Sequence, residues 1–279
     1  MSGSPGDSQI ETGDPMGVLA RYKVVVFDMD GVLWTMNDPI HHSREAVERC
    51  HTAGARVFYL TNNASISRED YVHKLARFGL ITDTSAVITS AHTTAAILSQ
   101  ERPDARVVMI GGPGLRQELE TVGLRMVPYA EGDSVDYAVV GWDTDLSYQK
   151  LAQVHGAIVR GGAEFIATNR DATYPDAGGR TLPGGGSIVA AVACSTGREP
   201  RTIGKPEPHT LRYILEVAGC APHECLMVGD RLDTDIAVGR RVGADTALVL
   251  TGVTTAADVA AADPTERPDH VWEDLRDLR

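Results

Sequence analysis

Two aspartates one residue apart, Asp28 and Asp30, close the β-branched run Val24-Val25-Val26. Carboxylates held that close repel, so a cation is expected between or beside them. A hard ion such as Mg²⁺ takes oxygen ligands and suits the place. An Asp-x-Asp by itself also reads as an Asx turn that ends a strand. An EF-hand loop is disfavoured, because Gly31 comes too early and Pro39 stands at the twelfth position, where a glutamate is needed. The choice depends on partners elsewhere in the chain. Thr61 follows Val57-Phe58-Tyr59-Leu60, Lys205 follows Thr202-Ile203-Gly204, and Asp230, with Asp235 behind it, follows Cys225-Leu226-Met227-Val228-Gly229. Such a set suits phosphoryl transfer through a covalent intermediate. A carboxylate nucleophile attacks phosphorus to give an aspartyl phosphate, and a divalent ion reduces the repulsion between them. A second carboxylate two residues on protonates the leaving oxygen and later activates water. A hydroxyl and a lysine hold the phosphoryl oxygens and offset charge in the transition state. Backbone N–H groups after the first strand add an anion nest.

These residues meet only if the elements carrying them share one edge. Lys23 to Phe27 reads as a buried parallel strand, and open α/β sheets bind ligands beyond the carboxyl ends of such strands. Arg56–Leu60, Cys225–Val228 and Ala247–Leu250 read as further strands, with Lys205 in a turn past a short one. Helices are predicted from Ser43 as N-cap to Gly54, from a Ser67/Asp70 capping box to Gly79, and over Ala91–Gln100. Alternation of this kind implies α/β architecture with a parallel sheet. A second α/β pattern begins near Arg106. Its strands are 106–110, 124–127, 137–140 and 164–167, and its helices 115–121 and 148–159. A loop follows from Thr168 to Pro175, and Pro183-Gly184-Gly185-Gly186 delivers Ser187 as the cap of a helix through Cys194. The pattern then returns to helices over about 208–218 and up to Gly243, and to a short one over 273–278.

The chain has 279 residues, 43% of them hydrophobic, and a formal net charge of −12. An acidic surface argues against nucleic acid and anionic membranes as partners, and leaves an anionic substrate dependent on a metal or a lysine for attraction. No apolar run approaches the ~20 residues of a membrane span. Residues 1–17 lack an apolar core segment and read as a disordered tail rather than a signal peptide. Cys50, Cys194, Cys220 and Cys225 have no metal spacing and fit a reduced, cytoplasmic setting.

Four segments, in order, resemble the four motifs of the haloacid dehalogenase (HAD) superfamily: Phe27-Asp28-Met29-Asp30-Gly31-Val32-Leu33-Trp34, Leu60-Thr61-Asn62-Asn63, Gly204-Lys205-Pro206 and Gly229-Asp230-Arg231-Leu232-Asp233-Thr234-Asp235. The resemblance runs from about Tyr22 to Leu250 and implies a Rossmann-like core. It implies Asp28 as nucleophile, Asp30 as general acid/base, and Thr61 and Lys205 as phosphate ligands. It further implies Mg²⁺ held by the Asp28 side chain, the Asp30 carbonyl and the Asp230 side chain, with Asp235 supporting from behind. Dehalogenases and phosphonatases of the superfamily lack an Asp at the position of Asp30, and P-type ATPases carry a Lys-Thr-Gly absent here, so phosphatase is the favoured branch. The stretch between Thr61 and Lys205 leaves about 110 residues beyond one helix and strand, enough for a separate domain. This is similar to the subfamily with an inserted α/β cap (IIA), which includes 4-nitrophenyl, phosphoglycolate, glycerol-phosphate, pyridoxal phosphate and NagD-type nucleotide phosphatases. The cap is placed at 92–200, between core segments 18–91 and 201–279, and family members often dimerise through it. The expected substrate is a small phosphorylated metabolite. Transfer to an acceptor other than water and a catalytically silent binding protein are the competing readings.

By the same resemblance, Asp171, Tyr174 and Pro175 lie in the cap segment that reaches the substrate. Tyr174 stands where the pyridoxal phosphate enzymes have His, which argues against that substrate. Asn62, through its backbone N–H, is expected to help shape the phosphate loop. Gly111-Gly112-Pro113-Gly114 lacks the third glycine of a dinucleotide fingerprint and reads as a strand–helix turn. Pro183–Gly186 reads as a flexible cap-to-core link rather than an anion site. Asp233 reads as a helix N-cap, Trp34 and Trp142 as packing residues, with Trp34 close enough to the site to touch a substrate, and the histidines as surface or core residues without metal spacing.

Overall fold

The computed structural model describes residues 17–176 and 180–279; most of the expected N-terminal tail, residues 1–16, lies outside them. Val24–Asp28 is the central strand of a six-stranded parallel sheet. Its neighbours on one side are Cys225–Gly229, Asp245–Val249 and His270–Trp272, and on the other Arg56–Thr61 and Val87–Thr89. Every residue of the central strand is buried, because alternate side chains enter two different cores. Val25 and Phe27 pack with Tyr59, Leu75 and Trp34, whereas Val24 and Val26 pack with Leu211, Ile214 and Met227. Register pairs Phe27 with Tyr59 and with Val228, so Asp28, Thr61 and Asp230 emerge at one sheet edge.

The second sheet has five parallel strands, in the order Arg201–Thr202, Glu164–Ala167, Tyr137–Val140, Arg106–Ile110 and Arg125–Met126. Helices Ser90–Glu101 and Pro113–Thr121 pack together against it through Ala91, Ala95, Leu98, Leu115 and Leu119. Helices Tyr148–Val159 and Gly185–Thr196 fill its other core with Val154, Ile158, Ile188 and Val192. The fold is therefore α/β, with a Rossmann-like parallel core and a second α/β layer inserted into it.

Several local expectations are corrected. Arg201–Thr202 does not join the first sheet; it pairs with Ile166 and Ala167 of the second, and Ile203 is buried there. A two-residue strand carries too little pattern to specify its sheet, and tertiary contacts decide. Lys205 thus reaches the first sheet's edge from the end of the second. The Thr168–Pro175 loop is half strand: Thr173–Asp176 pairs antiparallel with Arg180–Pro183. Ser43 is not an N-cap. His42, with φ 69°, holds that position and the helix begins at Ser43. Ser187 lies inside a helix capped by Gly184, whose added Cβ would meet the Asp171 carbonyl at 2.3 Å. The Pro183–Gly186 run accordingly joins hairpin to helix within the second layer, not cap to core. By contrast, the Ser67/Asp70 capping box forms as read.

The expected turn Gly111–Gly114 is shorter than read, since the helix begins at Pro113 with Gly112 as its N-cap, and this segment is one place where the two layers touch. A Cβ on Gly114 would lie 2.2 Å from the Ile66 carbonyl oxygen, and Gly114 N–H donates to the Ser65 carbonyl at 3.0 Å. Close approach of backbones accounts for these glycines without a nucleotide. Among the described residues, no helix is long and apolar enough to cross a membrane.

Candidate active site

Lys205 is the hub of the site. Its buried ammonium donates to Asp28 Oδ1 at 2.5 Å and to Asp235 Oδ1 at 2.6 Å. Asp235 is itself fixed by the N–H groups of Asp230 and Arg231, both donating to its Oδ2 at 3.2 and 3.1 Å. Gly229 leaves room for this, since a Cβ there would sit 2.1 Å from that of Asp235. Asp230 Oδ2 accepts the Val253 N–H at 2.7 Å, whereas its Oδ1 is buried without a hydrogen-bond partner. Gly31, at φ +84°, and Gly252 close over that carboxylate; a Cβ on either would lie 2.6 or 2.0 Å from Asp230 Oδ2.

The charges do not balance. Asp28, Asp230 and Asp235 bring carboxylate oxygens within 4.8 Å of one another, and the one ammonium among them bonds to Asp28 and Asp235 alone. Burial, with repulsion from Asp235 and Asp230, pushes Asp28 well above the usual carboxylate range despite Lys205. Burial and Asp235 push Asp230 up to about 7. Burial alone would depress the Lys205 ammonium, but Asp235 and Asp28 outweigh it and hold the amine above the usual lysine range. A cluster short of positive charge, made of oxygen donors, with one buried oxygen left unpartnered, fits a hard divalent cation. Among the described residues this is the group of acidic, His or Cys side chains able to hold a metal; the histidines contribute nothing to it.

Asp30 turns the other way. Its Oδ1 accepts the Trp34 indole N–H at 2.8 Å, and Lys74 Nζ lies 4.2 Å from the centre of the Trp34 ring. Burial raises the Asp30 pKa, with Lys74 and the indole opposing. Trp34 is therefore more than packing: it orients the second carboxylate. Thr61 Oγ1 accepts the Asn63 N–H at 3.1 Å and faces the same cavity. Asn62 is buried and its side chain binds the Lys205 backbone and Asp171.

The cavity, of about 420 Å³, lies between the first sheet's edge and the second layer. Asp28, Asp30, Thr61, Lys205 and Asp230 form its floor. Asp171, Tyr174 and Trp142 line it from the second layer, Tyr174 stacked on Trp142 with centroids 4.3 Å apart. Trp142 thus lines the cavity rather than only packing. Burial raises Asp171 and brings the Tyr174 hydroxyl up to about 12. Arg231 also lines the cavity, its guanidinium held by Asp233 in two bonds of 3.0 and 2.9 Å; Asp233 is bound to that arginine and is not the helix N-cap. Asn169, Arg231 and the Thr251–Val253 loop also line the cavity and were not among the residues expected there. The signal for the loop was a polar Thr-Gly at the end of the strand Asp245–Val249, the same pattern that marked Thr61.

Comparison with known proteins gives a consistent picture. A family model described as haloacid dehalogenase-like hydrolase matches residues 25–125, and a HAD-hydrolase-like model matches residues 202–278. The acid sugar phosphatase of Staphylococcus aureus is 38% identical over 259 residues, covering 93% of this chain and 97% of that protein. The glycerol phosphate phosphatase of Mycobacterium tuberculosis in complex with magnesium superposes with a TM-score of 0.87 at 34% identity, over 94% of this chain and 78% of the other. The 4-nitrophenylphosphatase of Thermotoga maritima gives 0.86 and 34%, over 93% and 97%.

Proposed function

This chain belongs to the haloacid dehalogenase-like hydrolases, in the subfamily with an α/β cap, and from that premise we propose that it hydrolyses small phosphomonoesters through an aspartyl phosphate on Asp28. The coarse activity, phosphoric monoester hydrolysis, follows from its relatives. One observation carries the proposal: Lys205 Nζ joins Asp28 and Asp235 at 2.5 and 2.6 Å, uniting three distant motifs at one point.

In the first half-reaction, a carboxylate oxygen of Asp28 forms a bond to phosphorus as the bond to the ester oxygen breaks. Asp30 gives its proton to that leaving oxygen. Trp34 occupies Asp30 Oδ1, which leaves Oδ2 as the proton-carrying atom. The raised pKa of Asp30 suits an acid. In the second half, the Asp30 carboxylate takes a proton from water, the water oxygen bonds to phosphorus, and Asp28 departs as carboxylate with inorganic phosphate. Lys205, Thr61 and the Asn62 N–H hold the phosphoryl oxygens. The Asp28 and Asp230 side chains and the Asp30 carbonyl would hold Mg²⁺, with Asp235 behind them. Bound there, the ion neutralises the phosphate and acts as a Lewis acid.

The second layer, expected over 92–200 and here running from the helix Ser90–Glu101 through the strand Arg201–Thr202, acts as the cap and excludes bulk water from the reaction. Sugar phosphates, glycerol phosphate, phosphoglycolate and 4-nitrophenyl phosphate are the substrates to try first. The working unit in this reading is a cytoplasmic protein that pairs through its cap. A phosphate-release screen over such compounds with Mg²⁺ tests it. Turnover of one of them, abolished in Asp28→Asn, is expected, and silence across the panel would leave a binding protein as the better reading.

A further inference from the structure

We propose that Asn62 is a positioning residue that makes the placement of Lys205 depend on the seating of the cap loop, with Asp171 as its partner in that loop; this rests on the phosphatase reading above. The Asn62 side-chain amide faces the main chain of Lys205 like one rung of a β-ladder. Lys205 N–H donates to Asn62 Oδ1 at 2.8 Å, and Asn62 Nδ2 donates to the Lys205 carbonyl at 2.9 Å. These two bonds fix the backbone from which the ammonium reaches Asp28. Gly204 is required for the approach, since a Cβ there would lie 2.6 Å from Asn62 Oδ1.

An amide nitrogen has two hydrogens, and the second goes to Asp171 Oδ1 at 3.0 Å. The Asn62 carbonyl is engaged by the same loop, accepting Asn169 Nδ2 at 2.8 Å, and by Ser90 Oγ at 2.5 Å. Both Nδ2 hydrogens are thus spent, and the side chain has no donor left for substrate while the loop is seated. The Asp171 carboxylate also polarises the amide, which makes Asn62 Oδ1 a stronger acceptor for the Lys205 N–H. When the loop leaves, the bonds from Asp171 and Asn169 are lost together and Lys205 is held more loosely. The phosphate site is therefore complete only when the cap loop is in place. Asp171 acts through Asn62 rather than by touching the leaving group.

A double-mutant cycle on the full-length chain with Mg²⁺ tests this. Asn62→Ala, Asp171→Ala and the double variant are compared with the unaltered chain on 4-nitrophenyl phosphate and on acetyl phosphate, whose leaving group is too small to reach the loop. Positioning through Asn62 predicts a kcat loss of roughly 100-fold for Asn62→Ala and about tenfold for Asp171→Ala, on both substrates and with little change in KM. The double variant should be no slower than Asn62→Ala, because the two act as a unit. Asp171→Asn, which keeps an acceptor oxygen, should recover most of the loss. The inference is overturned if the effects multiply, or if Asp171→Ala raises KM for the aryl ester and leaves acetyl phosphate untouched. Should Asn62→Ala fail to fold, the two Asp171 variants on the two substrates decide between the same outcomes. An unaltered chain inactive on both substrates would sink the phosphatase reading instead, and this inference with it.

Discussion

Asp235 grips the ammonium of Lys205 at 2.6 Å from behind and forms no part of the cavity wall. It cannot touch a substrate, yet it sets where the lysine points. Its other oxygen is taken by two backbone N–H groups, so its own position is rigid. Replacing it with Asn keeps the shape and removes the charge. We expect Asp235→Asn to lower kcat by roughly 10- to 100-fold, the usual effect of a group that orients a ligand from behind. Its Mg²⁺ requirement should also shift. Steady-state kinetics over a Mg²⁺ titration would check both; an unchanged kcat would mean the lysine needs no such support.

The indole of Trp34 provides a second test. Its N–H orients Asp30, and its ring carries the Lys74 ammonium. In Trp34→Phe the packing is largely kept and the hydrogen bond is lost. A badly oriented acid matters only when the leaving oxygen needs a proton. An alkyl phosphate should therefore lose about tenfold in kcat, a part of what general acid catalysis supplies. 4-Nitrophenyl phosphate, which departs as a stable phenolate, should be nearly unaffected. Equal losses on both esters would refute the orienting role.

Where the two layers meet, Glu118 accepts from Arg68 at 2.7 Å and contacts His92 at 3.1 Å, and His92 reaches the Tyr213 hydroxyl at 3.1 Å. Burial alone would raise the Glu118 pKa, but the bonds to His92 and Arg68 outweigh it and leave it lowered. A carboxyl whose folded pKa lies below its unfolded one stabilises the fold at any pH above the unfolded value. That contribution is lost as pH falls through the folded value. Glu118→Gln should therefore melt earlier at neutral pH, by an amount equivalent to about 1–3 kcal/mol. The difference should shrink as pH drops below the ordinary glutamate range. Melting curves of both proteins from neutral to acid pH measure it, and a constant gap would contradict the ion-pair account.

Much of this site is legible in the sequence because its residues sit at breaks in pattern. Asp28, Thr61 and Asp230 each end an apolar run, and such runs must be buried strands. The Ser67/Asp70 cap is legible because it is local. What is not legible depends on partners far away in sequence. Arg201–Thr202 chooses its sheet through contacts with Ile166 and Ala167. The hairpin Thr173–Asp176/Arg180–Pro183 was hidden because neither segment shows hydrophobic alternation; the Gly178-Gly179 pair between them in the sequence was its signal. Trp34 and Trp142 look like core residues by type, and only the loops around them decide that each also faces the cavity or its acid. The amide of Asn62 has the same history: its residue type allows many roles, and the return of Lys205 beside it selects one.

The claim that Asp28 is the nucleophile is tested most directly by trapping it. The chain is mixed with Mg²⁺ and a substrate from the screen labelled in its phosphoryl group, quenched in acid during turnover, digested and analysed by mass spectrometry. The account predicts one phosphoryl group on the peptide containing Asp28, labile to hydroxylamine as an acyl phosphate, and neither label nor turnover in Asp28→Asn. A label on another residue, or an Asp28→Asn protein that still turns over at the rate of the unaltered chain, would contradict it.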